Sequence, residues 1–127
     1  MHEGIRTLVS QFSVEETVAR LQSMIEERGV KFFCLVDHSG EAAAAGLTMP
    51  PTKLLIFGSP RVGTPLMLAA PSAALDLPFR ILVAENESGE TVISWNDPAW
   101  IEQRHAFPHE LTANLAAAAA FAKAASE

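Results

Sequence analysis

The sequence predicts an α+β fold, a two-layer sandwich in which a mostly antiparallel, curved sheet of four to five strands carries helices packed on it. Three observations lead there. Strand-like and helix-like segments follow one another in the order β-α-β-α-β-α-β-β-α-α, which supplies both layers. The apolar runs at 79–85 and 91–95 are joined by Asn86-Glu87-Ser88-Gly89-Glu90, a short polar loop with glycine that signals an antiparallel hairpin. The chain of 127 residues has the length of one domain and contains no internal repeat or linker. The hairpin favours the sandwich over a doubly wound parallel sheet. A core over 5–107 and an alanine-rich helix over 109–125 make up this single domain.

The first strand, 5–9, is apolar and β-branched. Ser13 and Glu16 form a capping box for a helix over 14–28, with Glu15 and Glu16 where the helix dipole favours negative charge. Val14, Val18, Leu21 and Ile25 recur at helical spacing and mark its buried stripe, and Gly29 supplies the stop. The run VKFFCLV, 30–36, is apolar at nearly every position. It predicts a strand that is central or covered on both faces, with Cys34 buried and inert.

A short helix over 41–45 ends at Gly46, and Pro50-Pro51 imposes an extended link to a third strand, 53–57. Residues 58–64 (GSPRVGT) read as a loop, after which Thr64 as N-cap and Pro65 at the first helical position start a helix. Pro71 breaks that helix, 72–75 restarts it, and Asp76-Leu77-Pro78 is a turn. After the hairpin, Asp97-Pro98 opens a helix over 98–105, and Pro108 interrupts again. The last helix has few large anchors (Leu111, Leu115 and Phe121), so alanine propensity is expected to hold it more than a thick apolar face does.

Composition excludes several classes of function. A net charge of −6, from 15 acidic and 9 basic residues, opposes nucleic acid and anionic membrane surfaces as partners. Hydrophobic residues at 49% exclude disorder for most of the chain. One cysteine excludes an internal disulfide framework. The opening Met1-His2-Glu3-Gly4 lacks a signal-peptide pattern, and no apolar run approaches the roughly 20 residues of a membrane span. The expected compartment is the cytoplasm, with Cys34 reduced.

Several constellations could carry chemistry. Gly58 to Thr64 has the spacing of a phosphate-binding loop but lacks the lysine, and Pro60 and Pro65 remove two donors, so no nucleotide cofactor is expected. Arg61 with free N–H groups at a helix start could instead hold a carboxylate or phosphate. Asp37 beside His38 could orient an imidazole if the chain turns there, as Ser39-Gly40 permits; otherwise Asp37 caps the short helix. Glu102, His105 and His109 would share a face of an unbroken helix, but Pro108 disfavours one, so no metal is expected. Trp95, Trp100 and Phe107 could line a cleft or an interface, with Trp95 equally suited to the core.

Together the runs Val36 to Ala43, Ala45-Gly46-Leu47, Pro51 to Gly58, Gly63 to Met67, Ala70-Pro71, Leu75 to Pro78 and Trp95 to Pro98 resemble a bacterial and archaeal family, domain of unknown function family 302. The resemblance spans about 5–107 and its strength lies in the ordered set. It implies a compact α+β fold with a curved antiparallel sheet, similar in architecture to the TATA-binding-protein-like group, and a homodimer. It implies no established reaction. The family pattern often has Asn where this chain has Ser59.

The expected function is therefore a dimeric binding module for a small anionic or apolar molecule. Its site would lie between the Asp37-His38 turn and the 61–67 segment, with Arg61, Gly63, Thr64, Met67 and His38 as ligand-binding residues. One alternative is an enzyme using His38 as general acid/base, oriented by Asp37 or Asp76 with Thr64 positioning substrate. The other is an assembly protein whose surface is a dimer seam.

Overall fold

The computed structural model describes residues 3–127. Five strands form one antiparallel sheet in the order β1-β5-β4-β3-β2. These are β1 (Ile5–Ser10), β2 (Lys31–Asp37), β3 (Thr52–Gly58), β4 (Phe79–Glu85) and β5 (Thr91–Asn96). Five α-helices accompany them: α1 (Val14–Glu27), α2 (His38–Ala44), α3 (Pro60–Ala69), α4 (Pro98–His105) and α5 (Ala117–Ser126). Two 3-10 segments, Pro71–Leu75 and His109–Leu115, complete the chain. The α+β class and the antiparallel sheet thus follow the sequence reading.

Strand alternation sorts the sheet into two faces. Leu55, Phe57, Phe79, Ile81, Val83, Ile93 and Trp95 point at the helices and are buried. They meet the α1 stripe Val18, Leu21 and Ile25, together with Leu66, Ile101, Leu115 and Phe121. Phe57 stacks on Phe79 at 5.4 Å and receives the edge of Phe121 at 5.6 Å. Leu54, Ile56, Leu82 and Val92 alternate to the other face and are only half-buried. Ser13 caps α1 as expected, its side chain accepting from the Glu16 N–H.

Five local expectations need correction. β2 is neither central nor covered on both faces: it is an edge strand, with Phe33 46% and Leu35 37% exposed. Its register with β3 shifts between Phe32 and Cys34, and Cys34 itself is exposed. An apolar run records the hydrophobicity of a strand but not how many neighbours it acquires.

Helix α3 starts at Pro60 rather than after Thr64, because Ser59-Pro60 carries the same cap-and-proline chemistry five residues ahead of Thr64-Pro65. The Ser59 side chain accepts from the Arg61 N–H. Thr64 and Pro65 lie inside the helix, where Pro65 removes one backbone bond. The short helix begins at His38 rather than 41.

The C-terminal segment is not one helix. Thr112 donates to Glu102 and the Asn114 amide donates to the Val62 carbonyl at 3.3 Å, so side chains at 109–115 bond outward and the backbone stays 3-10. Ala118, Phe121, Ala122 and Ala125 then form a buried face of α5. Tertiary packing through small residues holds this helix, beyond propensity alone. Arg20 Nε donates to the Ala125 carbonyl at 3.0 Å, joining α1 to the C-terminal end of α5.

Candidate ligand pocket

An apolar hollow lies where β3 ends. Gly58 leaves the sheet against Pro78, close enough that a Cβ there would sit 3.0 Å from the Pro78 Cβ. Ser59 and Pro60 then turn the chain into α3. Opposite, the segment Leu77-Pro78-Phe79, with a cis Leu77–Pro78 peptide, forms the second wall, and Phe33 from the irregular stretch of β2 forms a third. The pocket has a volume of about 210 Å³ and includes Val62, Gly63, Thr64 and Met67 in its lining. Ligand pockets usually run from roughly 300 Å³ upward, so this one suits a group about the size of a single ring.

Its walls are apolar. The Ser59 hydroxyl oxygen already accepts from the Arg61 N–H, and the Ser59 carbonyl accepts from Val62 and Gly63 at 3.0 and 2.9 Å. Pro60 has no N–H. The start of α3 therefore has no free backbone donor, and Arg61 is exposed and outside the lining. The open N–H groups expected beside Arg61 are engaged within the helix start, and the Arg61 guanidinium stands outside the apolar pocket. Gly63, Thr64 and Met67 are gathered as expected.

His38 is not gathered with them. Asp37 pairs with Lys53 at the start of β3, while the pocket opens beyond Gly58 at its end. The 7 residues of β3, at about 3.3 Å each, separate the two turns by about 20 Å. Among the described residues, the hollow lined by Gly63, Thr64 and Met67 does not reach the Asp37-His38 turn. Antiparallel pairing of β2 with β3 is the reason: the exit of one lies beside the entry of the other.

At that far end Asp37 caps α2. Its carboxylate accepts from the Gly40 N–H at 2.9 Å and the Ser39 hydroxyl at 2.8 Å. These bonds, with Lys53 4.0 Å away, hold its carboxyl below the usual range. Asp37 joins Ser13, Lys53 and Glu85 around a shallow polar depression, and His38 is exposed outside it. An acid/base role for His38 oriented by Asp37 or Asp76 has no geometric support.

Asp76 does orient a histidine, but it is His105. Asp76 Oδ2 lies 2.5 Å from His105 Nε2 and accepts from Arg104 Nη1 at 3.0 Å. Of the proposed metal face, His105 is thus turned to Asp76, while Glu102 accepts from Thr112 and bonds His109 at 2.7 Å, which keeps its carboxyl low. Trp95 and Phe107 belong to the core, and Trp100 packs on Gly4, where the absence of a Cβ leaves room for the indole: a Cβ there would collide with the Trp100 Cγ. None of the three lines the pocket.

Sequence reasoning missed Phe33, Leu77, Pro78 and Phe79 as pocket walls. Their only signal was apolarity, shared with the whole core. The partnership of Asp76 with His105, 29 residues on, leaves no periodic trace.

Among the described residues no helix is long and apolar enough to cross a membrane. The family model for "Domain of unknown function DUF302" matches residues 6–125. Curated relatives include "Fluoride-specific ion channel FluC 1" of Brucella suis biovar 1, 45% identical over 102 residues, covering 80% of this chain and 40% of that protein. "Fluoride-specific ion channel FluC 2" of Brucella melitensis biotype 1 is also 45% identical over 102 residues, covering 80% of this chain and 38% of its own length. The chain therefore spans about two-fifths of these relatives. A solved structure, an uncharacterized conserved protein DUF302 from Bacillus stearothermophilus, superposes with a TM-score of 0.79 over 98% of this chain and 97% of that one, at 17% identity. That likeness is one of fold, and with the match over 6–125 it leads to one conclusion: this chain belongs to the DUF302 family.

Proposed function

We propose that this chain is a cytoplasmic, dimeric binding module for a small apolar molecule. The supporting observation is the pocket of about 210 Å³ behind Gly63, Thr64 and Met67, whose apolar walls and spent backbone donors suit a ring-sized hydrocarbon group better than an anion. For the dimer, the support is the sheet face turned from the helices, where Val9, Val92, Leu82, Leu54 and Val36 lie on neighbouring strands. Ligand-observed NMR and thermal melts with benzene, indole and inorganic phosphate test the pocket. Benzene or indole should raise the melting temperature and phosphate should not; stabilisation by phosphate alone would reverse the assignment. Light scattering after gel filtration tests the dimer, and a monomer at micromolar concentration removes it.

A second reading rests on the relatives named as fluoride channels. The chain matches about two-fifths of their length and has no described helix able to cross a membrane. On this reading it serves a fluoride-handling system as a non-spanning module. Deleting its gene should sensitise cells to fluoride; unchanged resistance sinks the idea.

A further inference from the structure

We propose that Ser72, His105 and Asp76 form an acyl-accepting site, with the Ser72 Oγ as nucleophile, His105 Nδ1 as its base and Asp76 as the positioning carboxylate. The site is separate from the apolar pocket, and none of its three residues lines that pocket. Ser72 lies in the 3-10 segment after Pro71, Asp76 follows that segment, and His105 ends α4. The Ser72 Oγ is 2.7 Å from His105 Nδ1, and His105 Nε2 is 2.5 Å from Asp76 Oδ2.

Burial makes this more than a surface contact. The His105 side chain is 2% exposed and that of Asp76 10%, while Ser72 is open to solvent. The imidazole is thus fixed between its partners and only the hydroxyl meets an incoming molecule. Chemistry sets the direction of the bonds. An ionised carboxylate only accepts, so Nε2 carries the proton, and in a neutral ring Nδ1 then accepts from Ser72. This is the proton arrangement of a serine activated by a histidine whose far nitrogen is held by an acid. The ring is turned over relative to the usual serine triad, but both nitrogens lie in its plane and the proton path is intact.

Attack by Oγ on an activated ester forms the oxygen–carbon bond as the hydroxyl proton passes to Nδ1. The leaving alkoxide departs with its bonding pair and takes that proton. Water repeats the sequence to release the acid. Phenylmethanesulfonyl fluoride reports the first half alone: an oxygen–sulfur bond forms, the sulfur–fluorine bond breaks, fluoride leaves, and the proton passes from Nδ1 to solvent.

The experiment treats the full chain with this reagent and maps the adduct by peptide mass. Ser72 is expected to be modified faster than a serine in a short peptide. Ser39, whose hydroxyl meets the Asp37 carboxylate with no imidazole between, should stay free. Ser72→Ala should abolish the adduct. His105→Gln and Asp76→Asn, checked for folding by circular dichroism, should slow it about a hundredfold, the scale of a positioned base. The asparagine variant tests the relay even if the glutamine variant unfolds, because an amide can donate to Nε2 and reverse the hydroxyl. An unmodified Ser72 in the parent chain, or folded variants that react at the parent rate, would overturn the proposal.

Discussion

Replacing Gly63 by alanine should make the protein more stable and the pocket less receptive at once. Gly63 lies inside α3, and its φ is outside the positive region that favours glycine. A Cβ there would meet Met67 Cε at 3.6 Å and Leu77 Cδ1 at 3.7 Å, both ordinary contacts. Alanine gains about 1 kcal/mol over glycine in a helix interior. Burying part of a methyl adds up to roughly 0.8 kcal/mol. For a chain of this size the sum of about 1–2 kcal/mol raises the melting temperature by roughly 4–8 °C. The same methyl points into the space between Met67 and Leu77 that a ligand would fill. Differential scanning calorimetry with and without saturating benzene reads both effects. The parent chain should gain stability with benzene, and Gly63→Ala should start higher and gain little. A lower melting temperature for the variant would refute the packing argument. An undiminished benzene shift would place the ligand elsewhere.

Three other perturbations probe the fold that carries the pocket. Leu66→Ala, at the fully buried anchor of α3, should cost about 2–5 kcal/mol and shift the urea midpoint without changing the pocket residues themselves. Native Cys34 should react with an aromatic disulfide reagent as fast as an unfolded control, because it sits exposed on an edge strand; protection until denaturation would contradict the placement of β2. The carboxyls of Asp37 and Glu102 are both held low by hydrogen bonds. Each therefore contributes stability that is present above its unfolded value, 3.8 for Asp37 and 4.5 for Glu102, and is lost as pH falls through the lower folded value. Asp37→Asn should flatten the acid side of a melting-temperature profile, and an unchanged slope would count against the cap.

Local chemistry was legible wherever a signal and its consequence lie within one turn of the chain. The Ser13 N-cap, the α1 stripe, the glycine-containing hairpin and the Asp97-Pro98 start all act over a few residues, and each appears where the sequence puts it. The error at α3 is of the same kind, since Ser59-Pro60 and Thr64-Pro65 carry equal local chemistry and only packing of Leu66 and Val62 selects between them.

What the sequence determined by itself was the set of elements, the antiparallel hairpin and the apolar faces, because backbone propensity and side-chain periodicity are properties of neighbours in the chain. The tertiary structure alone decided that β2 is an edge, that His38 and Gly63 stand at opposite ends of β3, and that Asp76 meets His105. Those facts depend on strand order and on contacts between distant segments, which are set by how the apolar faces pack together.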